Sequence, residues 1–167
     1  MSLNNIELDA GTLYGLYKNS IIESIQKSPK KGLSAKISLS FLGNNSKRIA
    51  IVVSSDQAMH LPDEELNFLL GILSACKLSM DDVAIINLKK NNGTTYQLIT
   101  SELKAGTVLL FGVTATQIEM PIEFPHYQLQ KFNNQLYLSA PLLHKLQNDK
   151  AEKIMLWNCL KQVFSII

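Results

Sequence analysis

The chain has 167 residues, 46% of them hydrophobic and 18% charged, with a formal net charge of +2. That length suits one domain with a sizeable core, and that hydrophobic content excludes an intrinsically disordered chain. No apolar run reaches the ~20 residues needed to cross a bilayer, and Met1-Ser2-Leu3-Asn4-Asn5 lacks a basic region followed by an apolar core, so neither a membrane contact nor a signal peptide is expected and the expected location is cytoplasmic.

In chain order, Leu13, Leu16, Tyr17, Ile21 and Ile25 recur at helical spacing, with Lys18, Glu23 and Lys27 off the stripe. Ser28-Pro29-Lys30-Lys31-Gly32 breaks that helix. The expected organisation is therefore an N-terminal helical segment, 1–33, ahead of an α/β domain, 34–167. Ile37, Leu39 and Phe41 alternate with Lys36, Ser38 and Ser40, the pattern of a half-exposed strand or extended segment, and Gly43-Asn44-Asn45-Ser46 is a turn.

Ile49 to Val53 reads as a fully buried first central strand. Pro62-Asp63-Glu64-Glu65 opens a helix, with Pro and acids at its positive end and a stripe of Leu66, Leu69, Leu70, Leu73 and Cys76. After Ser79-Met80-Asp81-Asp82 a second strand runs from Val83 to Leu88, and Lys89-Lys90-Asn91-Asn92-Gly93 is a loop. Tyr96, Ile99 and Leu103 mark a short helix, and Val108 to Phe111 a third strand closed by Gly112. Thr114 to Glu119 is expected as a short helix ending before Pro121. Gln128 to Phe132 and Gln135 to Ser139 are extended segments about an Asn133-Asn134 turn. Pro141 starts a short helix, and Asp149 caps a final one with Ile154, Trp157, Leu160 and Phe164 on its apolar side. Strands alternating with helices predict a three-layer α/β/α sandwich with a mainly parallel central sheet of about four strands.

The carboxyl end of the first strand is where an open α/β sheet builds its ligand site. There the chain reads Ser54-Ser55-Asp56-Gln57-Ala58, with no glycine, histidine or basic residue. Asp56 follows the strand directly, though an isolated loop Asp is usually a turn former. The three histidines, His60, His126 and His144, lack a partner at i+3 or i+4 and read as surface or structural residues. The acids at 63–65 fit a helix N-terminus better than a metal or acid–base site. Cys76 and Cys159 read as buried free thiols. Gly112 has no companion glycines at dinucleotide-binding spacing. Arg48 is the only Arg among 16 basic residues, so base reading through arginines is not expected. Lys89 and Lys90 could meet a phosphate backbone weakly. No metal or cofactor is expected.

Arg48 to Val53, the helix from Asp63 to Lys77, the stretch Leu78 to Asn87 and the stretch Gly106 to Ala115 together resemble the uracil-DNA-glycosylase-like superfamily over roughly residues 48–164. The catalytic motifs of active members do not carry over. The Ser54–Ala58 loop lacks their glycine, Leu138-Ser139-Ala140-Pro141-Leu142-Leu143 lacks a histidine ahead of the proline, and the cysteines for an iron–sulfur cluster are missing. Asn87 matches the position that reads the flipped base. The chain is more similar to the non-catalytic DNA polymerase III psi-subunit family, through Ala140-Pro141-Leu142-Leu143, Leu146, Asn148-Asp149 and Leu156-Trp157. That resemblance implies a replisome accessory protein. Leu13, Leu16, Tyr17 and Ile21 would contact the clamp loader, the folded body would bind a chi-like subunit, and Ser54, Ser55, Asp56 and Asn87 would be a degenerate site. A divergent glycosylase or nucleotide hydrolase using Asp56 and Asn87 is the competing expectation. A stand-alone nucleic-acid-binding domain using Lys89 and Lys90 is the third.

Overall fold

The computed structural model describes residues 38–165. The expected contacts Leu13, Leu16, Tyr17 and Ile21, and the whole 1–33 segment, lie outside the described residues.

The described residues form an α/β fold with a six-stranded mixed sheet and four α-helices. Its strands are β1 (Phe41–Leu42), β2 (Ile49–Val53), β3 (Val83–Asn87), β4 (Thr107–Phe111), β5 (Leu129–Phe132) and β6 (Gln135–Ala140). Its helices are α1 (Asp63–Ala75), α2 (Tyr96–Leu103), α3 (Leu143–Asn148) and α4 (Lys150–Phe164). Strand order is β1-β3-β2-β4-β6-β5. β2 pairs in parallel with β3 and β4, and β4 in parallel with β6; β1 and β5 join the two edges antiparallel.

The expectation of about four strands is corrected by these edges. β1 is the two-residue strand Phe41–Leu42 at the extended segment expected there, and the extended segment expected at 128–132 becomes β5, which forms a hairpin with the more deeply buried β6. The hairpin turn is the expected one: Asn133 and Asn134 both have positive φ, 49° and 62°, the conformation that matches strand twist.

All five residues of β2 are buried, as a strand covered on both faces requires. Side chains alternate between faces. Ile49, Ile51 and Val53 pack with Leu69 and Leu73 of α1, Leu143 and Leu146 of α3, and Leu156 and Leu160 of α4. Ala50 and Val52 pack on the other face with Ile99 and Leu103 of α2 and with Tyr137. Each such Leu, Ile or Val contributes ~1.5–3 kcal/mol by leaving water.

Helix ends follow the local chemistry. The Asp149 carboxylate accepts from Ala151 N at 2.9 Å and Glu152 N at 3.2 Å, starting α4 as expected. Thr95 Oγ1 accepts from Leu98 N at 3.1 Å, starting α2. The Thr114–Glu119 helix shrinks to a 3-10 turn, Thr116–Ile118. Gly43, at φ +108°, turns so tightly that a Cβ there would sit 2.2 Å from Val83 O; only glycine fits.

Tyr137 is completely buried, and its hydroxyl donates to Gln135 Oε1 at 2.7 Å. Gln135 Nε2 donates to Ala105 O at 2.5 Å, and the single hydroxyl proton of Thr100 is shared between Tyr96 O at 2.7 Å and Gln135 Oε1 at 3.0 Å. This closed network satisfies the polar groups set beneath α2. No helix among the described residues is long and apolar enough to cross a membrane.

Candidate functional site

β2 is flanked by β3 on one side and β4 on the other, so the chain changes winding direction at β2. A ligand crevice is therefore expected between the carboxyl ends of β2 and β4. Three segments meet there: the loop after Val53, Asn87 at the end of β3, and Gly112 after β4.

Asn87 pairs with Val53 across the sheet and is fully buried. Its Oδ1 accepts from Ser55 N at 3.0 Å and Lys89 N at 3.1 Å. Its Nδ2 donates to Ser55 O at 2.7 Å and Ala58 O at 3.0 Å, with a longer shared contact to Met59 O at 3.3 Å. An amide has two N–H donors and two acceptor lone pairs. All four are used, so nothing on Asn87 remains to face a base. The residue matched to base reading instead holds the 54–59 loop against the sheet.

The other expected site residues take different positions. Ser55 is buried beneath that loop, where its Oγ accepts from Gln57 N at 3.4 Å. Ser54 is half-buried on the cleft wall. Asp56 stands out in solvent with its side chain 83% exposed, and among the described residues its only ionic neighbour is Lys89 Nζ at 4.0 Å. Lys90 is exposed on the same turn. Asp56 and Asn87 are thus near in the fold but do not converge: one points to water, the other into backbone.

Ser54 to Gln57 border a cleft of about 600 Å³ with the amino end of α1, Leu142 and His144. Asp56, Asp63, Glu64 and Glu65 all line it. Burial raises the Glu65 carboxyl above its ordinary value, and the nearby His144 partly offsets that. Four acids around one opening repel phosphate, which argues against a nucleic-acid path through this cleft. The far side of the crevice is filled. Gly112, at φ +66°, leaves room for Leu142, whose Cδ2 lies 2.2 Å from where a Cβ would stand. Among the described residues, no group of three or more His, Cys, Asp or Glu could hold a metal ion.

Two arrangements were not expected from the sequence. Asn91, four residues after Asn87, repeats its clasp: Ser40 N donates to Asn91 Oδ1 at 2.8 Å and Asn91 Nδ2 donates to Ser40 O at 3.0 Å. Nδ2 also donates to Asn87 O at 2.9 Å, linking the two clasps. The 89–93 segment is the expected loop, and nothing in its local pattern points to a partner as distant as Ser40. Second, His126 Nδ1 lies 2.9 Å from Ser139 Oγ near the end of β6. A histidine beside a serine suggests nucleophilic chemistry only when a third group orients the ring. Glu123, the acid in that pocket, instead accepts from Thr116 Oγ1 at 2.8 Å. The pair ties the 126 loop to the sheet.

No protein-family model matches the chain, and no curated protein matches it.

Proposed function

We propose that the chain is a non-catalytic binding module, an accessory protein of the DNA replication machinery of the psi-subunit type. In this reading it binds clamp-loader and chi-like subunits in the cytoplasm without a cofactor, and any DNA contact through Lys89 and Lys90 is weak. The fold is read more finely as a three-layer α/β/α sandwich of the glycosylase-like kind, with β3, β2, β4 and β6 as its parallel centre.

The observation that carries the non-catalytic part is the complete engagement of Asn87 by backbone. A glycosylase site needs that amide free to meet an extruded base, and it needs an acid or base held against the substrate. Here the amide is spent on the loop, and Asp56 is exposed and paired with Lys89. The replisome part rests on the sequence pattern from Ala140 to Trp157.

Two measurements test the reading. Purified clamp loader and chi subunit should be retained by the immobilised full chain, and loss of residues 1–28 should abolish clamp-loader retention. Retention of neither overturns the replisome assignment. A uracil-excision assay on single- and double-stranded DNA should show no turnover. Turnover abolished by Asp56→Ala would overturn the non-catalytic assignment and restore the enzyme reading.

A further inference from the structure

Among the described residues, α1 and α4 border an open apolar groove of about 500 Å³. Phe68, Gly71, Ile72 and Ala75 of α1 form one wall, and Trp157 stands on the opposite wall with Leu156 and Leu160. We propose that this groove docks an acidic amphipathic helix of a partner protein.

Gly71 gives the first reason. It is exposed in the middle of a helix, where glycine is the poorest choice short of proline. A Cβ built on it would meet nothing within 4 Å. Neither a tight turn nor a close neighbour among the described residues uses its missing side chain. With Ala75 one turn later it lowers one wall of the groove, which lets a second helix axis approach closely. The floor beneath it is apolar, so an amphipathic helix would bury its stripe there.

Charge decides between occupants. Among the described residues, Lys153 is the only charged one lining the groove, its Nζ 5.5 Å from the centre of the Phe68 ring. Lys150, Lys153, Trp157, Lys161 and Phe164 fall three or four residues apart along α4, so the three lysines flank the groove on Trp157's side of the helix. A second copy docking here face to face would bring two such lysine rows together. A helix with carboxylates along the flank of its apolar stripe would pair with them instead. The inference does not depend on the replisome reading, since it uses only the groove and its charges.

Trp157 is the chain's single tryptophan, so its fluorescence reports on this groove alone. The test titrates the full chain with two synthetic peptides of about 15 residues, a length of ~22 Å that matches the helices. Both carry one Leu/Ala stripe, flanked by Glu in one peptide and by Lys in the other. The Glu peptide should shift Trp157 emission to the blue and bind at least tenfold more tightly than the Lys peptide. Salt should shrink that preference. Gly71→Leu should weaken the Glu peptide at least tenfold without lowering the melting temperature, because it fills the groove while improving the helix. Lys153→Glu should erase most of the preference between peptides. Equal affinity for both peptides, binding of neither, unchanged binding by Gly71→Leu, or Trp157 already shielded from acrylamide in the free protein would each overturn the proposal. So would self-association of the full chain that Gly71→Leu abolishes, since the occupant would then be a second copy.

Discussion

Asn87 and Ser55, 32 residues apart, are joined by a two-way clasp: Ser55 N–H donates to Asn87 Oδ1 at 3.0 Å and Asn87 Nδ2 donates to Ser55 O at 2.7 Å. The side-chain amide stands in for the backbone of a neighbouring strand. It extends pairing past the last residue of β3 and fixes the loop that leaves β2. What looks in sequence like a remnant of ligand recognition is structural.

Removing the clasp should be costly. Asn87→Leu keeps comparable bulk but leaves Ser55 N–H and C=O buried without partners, each worth ~1–3 kcal/mol. A loss of about 3 kcal/mol in urea denaturation is expected, with faster amide exchange at Ser55. Asn87→Asp should be at least as damaging, because a buried carboxylate would face the carbonyls of Ser55 and Ala58. Wild-type stability in both variants would show that the clasp does not hold the loop.

Asp56 should behave oppositely. Its side chain is 83% exposed and its ion pair is at 4.0 Å, the regime in which surface pairs contribute little. Asp56→Ala is expected to shift unfolding free energy by less than about 0.5 kcal/mol. A loss several times larger would mean that Asp56 anchors the loop as Asn87 does.

Gly112 and Leu142 should be coupled. Gly112→Ala places a Cβ against Leu142 and keeps a positive φ that disfavours alanine, for a combined loss of ~1–3 kcal/mol. Leu142 is half-exposed and can swing away, so Leu142→Ala in the same chain should recover the steric part and leave the backbone part. A double-mutant cycle in urea measures this, and strict additivity would disprove the contact.

Asp82 predicts an acid-dependent stability. Its carboxyl is held below its ordinary value of 3.8, first by the Ser79 backbone N–H and then by Lys47. Ser79 N donates to it at 2.9 Å, and Lys47 Nζ lies 3.5 Å away. A lowered folded value means the stabilisation is present above 3.8 and is lost as pH falls through the lower folded value. The melting temperature of Asp82→Asn should therefore lie below wild type at about pH 6, with the gap closing toward about pH 2. A gap independent of pH would assign Asp82 a role other than its charge.

Both cysteines should be inert in the folded protein. Burial pushes the Cys76 thiol up to about 11, and burial also raises that of Cys159. Cys159 Sγ further donates to Tyr127 O at 3.2 Å, which favours the protonated thiol. Since thiolate is the reactive form, iodoacetamide at pH 8 should label both only after denaturation. Labelling of native protein at the free-thiol rate would contradict this packing.

The regular parts of the fold were legible because their signals are local. Ile49–Val53 is the strand that its unbroken apolar run predicted. Asp149 caps α4, and Asn133-Asn134 turns the hairpin, because each residue acts within a few positions of itself. The edges were legible as extended segments, through Phe41 and over 128–132, but not as members of the sheet: the pairing of Phe41–Leu42 with Ile85 and Ile86 is a contact over more than forty residues. The candidate site was half legible. Its location followed from where a strand ends, but periodicity says nothing about which backbone groups an asparagine will find.

The sequence by itself determined the elements, the strand buried on both faces and the poverty of chemistry in Ser54–Ala58, since propensity, capping and composition are properties of neighbouring residues. Only the tertiary structure decided that Asn87 is spent on Ser55, that Leu142 fills the space above Gly112 and that Gly71 faces an open groove. Those outcomes depend on distances between residues far apart in the chain, set by how the sheet and its helices pack.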